Sequence, residues 1–157
     1  MRVASMSPLL LALGLAGCAG GFDGTWLLYF DPQPVDEQGS CVDEDATTTL
    51  TGTSYQLIDI YTNGANGIVV LMEDLLSGTV DGSAFTASYQ YVEGDIDREA
   101  QYGVDMTGEL EKRVLSGEVT VWVTVEVGDT IDDCATTWAY DAELIDSDPE
   151  SYLWEEQ

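Results

Sequence analysis

The stretch EVTVWVTVEV, residues 118–127, decides the fold class. Every second residue is a valine, and the residues between the valines are polar apart from Trp122. Because side chains alternate between the two faces of a β-strand, this pattern predicts a strand with one face in an apolar core and one face in solvent. The valines of the predicted inner face are Val119, Val121, Val123, Val125 and Val127.

Three other stretches alternate in the same way, at residues 83–91, 102–111 and 136–144. One apolar and one polar face in each strand is typical of antiparallel sheet around a single core. We therefore expect an all-β fold of seven to eight sequential strands. An antiparallel up-and-down barrel and a two-layer β-sandwich both satisfy this pattern, and the barrel is the main prediction.

Turn residues separate the predicted strands. Asp81-Gly82 is typical of a tight hairpin. The stretches Asn63-Gly64-Ala65-Asn66-Gly67 and Glu111-Lys112-Arg113 predict two further turns. Longer acidic loops are expected at residues 92–101 and 128–133.

A short motif of an apolar residue, a hydroxyl residue and a glycine recurs along the chain. The glycine lies two positions after the apolar residue and so faces inward with it. An inward glycine in a strand indicates either tight coiling of the sheet or close packing of a neighbouring aromatic ring. The glycines of this motif are Gly52, Gly78, Gly108 and Gly117.

The N-terminal segment is typical of a secretory signal. Arg2 is its one charged residue, and the apolar run that ends at Cys18 is too short to span a bilayer. Residues Leu15-Ala16-Gly17-Cys18 resemble the lipobox of bacterial lipoproteins. The resemblance implies cleavage before Cys18 and a lipid on its sulfur. Without an Asp after the cysteine, it also implies the outer membrane, on a face that the sequence leaves open.

These features predict four segments. They are a signal peptide at residues 1–17, a lipidated tether at 18–24, a β-barrel domain at 25–146 and an acidic C-terminal tail at 147–157.

Composition excludes several classes of function. The 157 residues include 30 Asp and Glu, 4 Lys and Arg and no His. So few basic residues cannot neutralise a phosphate backbone, which excludes nucleic-acid binding. The absence of His excludes His-based catalysis and His-ligated metals, and we expect no enzyme, no cofactor and no dedicated metal site. The spread of acidic residues predicts a solvated acidic surface that attracts divalent cations without specificity.

Two cysteines remain after Cys18. Outside the cytoplasm we expect Cys41 and Cys134 to form a disulfide, and two free buried thiols are the alternative.

The start of the mature chain carries a second resemblance. Gly24-Thr25-Trp26 resembles the Gly-x-Trp of lipocalins and of avidin-like proteins. The resemblance implies an eight-stranded up-and-down barrel whose interior is able to carry a small apolar ligand.

Two functions remain open for such a barrel. The main prediction is a non-catalytic structural or interaction module of the cell envelope, and the alternative is a carrier of a small apolar ligand. The aromatic residues expected to fill the interior, or to line a ligand cavity, are Trp26, Phe85, Tyr89, Tyr102, Trp138 and Tyr140. Trp122 faces outward by parity and marks a possible partner surface, unless the tail residues Tyr152-Leu153-Trp154 cover it.

Overall fold

The computed structural model describes residues 21–39, 55–95, 98–128 and 130–147, and this part of the chain folds entirely as β-sheet. Most of the strands begin or end close to the turn or loop residues identified in the sequence. The strands are β1 Gly24–Phe30, β2 Asp36–Gln38, β3 Tyr55–Asn63, β4 Gly67–Leu71, β5 Leu75–Asp81, β6 Ala84–Asp95, β7 Arg98–Glu111, β8 Val114–Val127 and β9 Thr130–Asp146.

The sheet closes on itself. Each strand from β3 to β8 pairs antiparallel with the next, and β1 pairs with both β3 and β9. The result is a closed barrel of eight antiparallel strands plus the additional strand β2. The predicted up-and-down barrel is confirmed, and the two-layer sandwich is wrong because β1 leaves no open seam.

Strand β2 continues the line of β1 along the same edge of β9. β1 pairs with β9 residues up to Tyr140, and β2 pairs with Ala135–Thr137 further along that strand. The backbone amides of Asp31 and Val35 still donate to carbonyls of β9, at 3.0 and 2.8 Å. Pro32 and Pro34 have no amide hydrogen to donate, which explains why this strand is interrupted.

The two ends of the barrel differ. The N-terminal end carries Gly24 and the turns β3–β4, β5–β6 and β7–β8, and β9 ends there at Asp146. The opposite end carries the remaining turns, and β6 to β9 extend further there than their short neighbours β3 to β5.

The predicted hairpin turns are confirmed at the N-terminal end. Gly82 adopts a φ of 64° in the two-residue loop between β5 and β6. Lys112 and Arg113 form the equivalent loop between β7 and β8, at φ values of 57° and 105°. The turn between Asn63 and Gly67 also lies where the sequence predicts it.

Two predicted loops are mostly strand. Residues 92–101 include the end of β6 and the beginning of β7, and β9 already begins at Thr130. The acidic side chains of these two stretches favour loops. They are compatible with the long antiparallel strands β6 to β9, because a strand can carry charged side chains on its solvent face. Cys134, which precedes the alternating stretch 136–144, lies inside β9.

One continuous core fills the interior. Every barrel strand contributes buried side chains to it, including Trp26, which has no exposed surface. Phe22 precedes β1 and is also buried, at 2% exposure, so the core begins before the first strand. The alternation of β8 is confirmed at Val119 and Val123, whereas Val127 is half exposed where β8 extends past its shorter neighbours at the opposite end.

Candidate functional site

The aromatic side chains predicted for the barrel interior fall into two groups. Trp26, Phe85, Trp138 and Tyr140 are all buried in the core. The indole Nε1 of Trp26 donates a hydrogen bond of 2.8 Å to the carbonyl oxygen of Phe22, so this buried donor is satisfied within the chain. These four residues pack in the interior, and Phe85 and Tyr140 also border an open groove.

A pair of glycines makes room for two of these rings. Gly108 of β7 lies opposite Gly117 of β8. A Cβ atom at Gly108 would lie 2.2 Å from the ring of Phe85 and 2.9 Å from the hydroxyl of Tyr140. The expectation that a ring occupies the space at an inward glycine is therefore confirmed at Gly108.

The other motif glycines behave differently. At Gly78 and Gly117 the nearest atoms to an added Cβ belong to the backbone of the neighbouring strand. These glycines allow close approach between strands, so tight coiling rather than a neighbouring ring accounts for them. Gly52 lies outside the described residues.

Tyr140 is the most perturbed ionisable group of the interior. Its hydroxyl donates a hydrogen bond of 2.8 Å to the backbone carbonyl of Thr107, across the glycine pair. Burial raises the pKa of Tyr140 well above its ordinary value. A phenol that stays protonated in this way fixes a strand contact and is poorly suited to act as a base.

The remaining interior tyrosines lie towards the opposite end of the barrel. The rings of Tyr91 and Tyr102 stack, with centroids 4.8 Å apart and planes 11° apart, and Tyr89 lies 6.0 Å from Tyr91. Tyr91 is 43% exposed. Partial burial, followed by the proximity of Tyr102, raises the pKa of Tyr91. This stack is the aromatic surface of the inner face that solvent reaches.

A groove of about 640 Å³ lies on the outer surface, over the glycine pair. Gly108 and Gly117 belong to its lining, as do the core residues Phe85 and Tyr140. Hydroxyl groups of Thr86, Thr107 and Ser116 line it together with four acidic residues. The acidic residues are Asp31, Glu109, Glu118 and Asp141.

No local sequence pattern reveals this groove, although the residue types that line it are visible in the sequence. The outward residues beside the two motif glycines are acidic or carry hydroxyls, and only the cross-strand register brings them together. The arrangement suits a cationic or hydrogen-bonding ligand in chemical terms. Within the described ranges, no group of three or more His, Cys, Asp or Glu side chains is placed to hold a metal ion.

Trp122 packs against its own sheet. An added Cβ at Gly103, its partner on β7, would lie 2.2 Å from the indole ring. The indole Nε1 donates a hydrogen bond of 2.8 Å to the carboxylate of Asp105. Trp122 thus covers a glycine on the outer face, a contact that parity alone does not reveal.

The tail residues expected as an alternative cover for Trp122, at positions 152–154, lie outside the described part of the chain.

Comparisons with protein-family models, with curated proteins and with solved structures gave no match for this chain. The function therefore has to be argued from its own residues. In the described part of the chain, no helix is long and apolar enough to cross a membrane.

Proposed function

We propose that this protein is a lipid-anchored β-barrel module of the bacterial cell envelope with a non-catalytic structural or interaction role. The observation that supports this role is the continuous core, to which all eight barrel strands contribute. An interior filled by Trp26, Phe85, Trp138 and Tyr140 leaves the outer surface and the barrel ends for binding.

The proposed anchor fits the beginning of the barrel. Cys18 lies outside the described residues, and Gly21, three residues further on, is the first of them. Phe22 packs edge-on against Phe85 with ring centroids 5.4 Å apart, so the chain is already part of the core at this point. A lipid on Cys18 would therefore hold the N-terminal end of the barrel within about 14 Å of the membrane surface.

Intact mass spectrometry of the membrane-extracted protein tests the anchor. We expect a chain that begins at Cys18 and carries the added mass of acyl chains, because two or three chains are needed for stable anchoring. Cys18→Ser should remove that mass and release the protein from the membrane or stall its processing. A soluble mature form that begins at another residue would refute the anchor.

The second candidate function is a carrier of a small apolar ligand. The observation that favours it is the Tyr91–Tyr102 stack, which is partly exposed on the inner face near the opposite end. Stacked phenol rings offer a flat apolar surface for an uncharged aromatic or aliphatic molecule.

Titration of the delipidated protein with an apolar fluorescent probe distinguishes the two functions. The interaction module predicts no saturable site. The carrier predicts one saturable site that Tyr91→Ser or Tyr102→Ser weakens. Tyr55→Ser is the matched control, because Tyr55 is an exposed tyrosine on β3, on the outer face by parity. The carrier would become the leading function if the unmodified protein binds the probe saturably, Tyr55→Ser keeps this binding, and Tyr91→Ser or Tyr102→Ser weakens it.

A further inference from the structure

The turn between β7 and β8 holds residues that its backbone conformation does not favour. Two-residue hairpin loops with positive φ at both positions normally contain Asn, Asp or Gly. Here the two positions are Lys112 and Arg113, and the φ of Arg113, 105°, lies outside the left-handed region that side chains tolerate. Strained residues of this kind are concentrated at functional sites, so Lys112 and Arg113 are candidates for a function other than forming the turn.

The same two residues stand out by charge. They are adjacent cations in a chain with 30 Asp and Glu and only 4 Lys and Arg. Both side chains are exposed. Among residues 21–39, 55–95, 98–128 and 130–147, neither has a salt-bridge partner. Two exposed cations that have no ion-pair partner among the described residues are available to bind an anion.

The turn lies beside the start of the mature chain. An added Cβ at Gly21 would lie 2.8 Å from the side chain of Leu110, two residues before Lys112. From Gly21, the chain back to Cys18 spans at most about 11 Å. The proposed lipid and the basic turn therefore leave the barrel at the same end and next to each other.

We propose that Lys112 and Arg113 bind phosphate groups of membrane lipids beside the Cys18 anchor. The proposal rests on the lipid anchor of the proposed function and adds the orientation of the barrel. Arginine binds phosphate through two parallel hydrogen bonds, and lysine binds it as a compact charge. Together with the anchor, these contacts fix the N-terminal end on the membrane and direct the Tyr91–Tyr102 stack away from it.

Lys112 gives a direct experimental probe because it is the only lysine of the chain. The lipidated protein is added to preformed vesicles of phosphatidylcholine and phosphatidylglycerol, or kept in micelles of an uncharged detergent. Acylation of Lys112 by an amine-reactive reagent is then followed by peptide mass spectrometry. We expect acylation to be severalfold slower on vesicles, because a phosphate-bound ammonium keeps its proton and has no free lone pair.

Two variants and two additions make the measurement specific. Arg113→Gln should recover much of the acylation rate on vesicles. Arg98→Gln, which removes a positive charge at the opposite end, should leave the rate unchanged. Molar NaCl should abolish the slowing, since it screens a charge contact but does not relieve steric burial. Inorganic phosphate added to the micelles reports whether a free anion reproduces the effect.

Each remaining outcome counts against the proposal. Equal acylation rates of Lys112 on vesicles and in micelles would overturn the lipid contact. If the same protein floats with the vesicles and carries acyl mass, the anchor is left intact. Slowing that persists in molar NaCl would show simple burial. Inorganic phosphate alone acting as strongly as vesicles would assign the turn to a soluble anion. Protein without acyl mass that fails to float would reject the anchor and the contact together.

Discussion

Gly108 shows how one missing side chain organises the barrel interior. The Phe85 ring lies where a Cβ atom of residue 108 would be. Phe22, from the N-terminal segment, packs edge-on against Phe85. The hydroxyl of Tyr140 reaches the carbonyl of Thr107 across the same gap. Adding a side chain at Gly108 should therefore disturb the contacts of Phe85, Phe22 and Tyr140 at once.

We predict that Gly108→Ala destabilises the protein by about 1–3 kcal/mol, the usual cost of overpacking a core. The Phe85 ring cannot move far, because it is 2% exposed and in contact with Phe22. Urea unfolding of Gly108→Ala, Phe85→Leu and the double variant measures the coupling between the two sites. The double variant should lose less stability than the sum of the single variants. Strict additivity would show that the ring does not limit the site.

Parity identified the inward residues but not their neighbours across the sheet. The alternation of residues 118–127 was sufficient to place Val119 and Val123 in the core. The contact of Trp122 with Gly103 depends on the register between β7 and β8, which no local pattern encodes. Phe22 was missed because it precedes the alternating pattern and has no strand partner. The outer groove was missed for the same reason as the Trp122 contact.

At the scale of the elements, β2 brings the chain that leads to Cys41 close to Cys134. Gln38 pairs with Ala135, and an added Cβ at Gly39 would lie 3.1 Å from the Cα of Cys134. Cys134 itself is buried on β9. Cys41 lies outside the described residues, but it follows Gly39 by two residues and so lies within about 7 Å of it. This reach is compatible with the Cα separation of a disulfide.

We predict that Cys41 and Cys134 form a disulfide that ties the interrupted first strand to the last one. Thiol labelling of unreduced, denatured protein should modify neither cysteine. Cys41→Ser should lower the free energy of unfolding by about 2–5 kcal/mol, because it removes a cross-link over a long loop. Reduction of the unmodified chain should cost a similar amount, which serves as the control. Labelling of both cysteines without reductant would leave two free thiols as the correct alternative.

At the scale of the whole molecule, the acidic excess is compatible with a closed barrel because the charge is outside. Among the described residues, the buried side chains are apolar apart from Thr25 and Thr136, and a few further polar atoms are buried, such as Oε1 of Gln56. The sequence alone was enough to predict this separation, since alternation assigns acidic residues to the outer face. It did not predict that four of them line one groove, which depends on the register of four strands.

We predict that the melting temperature rises with NaCl. A formal net charge of −26 on 157 residues repels itself most strongly when the chain is compact. Salt screens that repulsion over about 10 Å at 0.1 M, so most of the gain should appear below molar concentration. Mg²⁺ or Ca²⁺ should raise the melting temperature further at equal ionic strength, because divalent ions concentrate near clustered carboxylates such as those of the groove. Thermal unfolding followed by circular dichroism measures both effects. A melting temperature that stays flat from low to molar salt would show that self-repulsion does not limit the stability of this barrel.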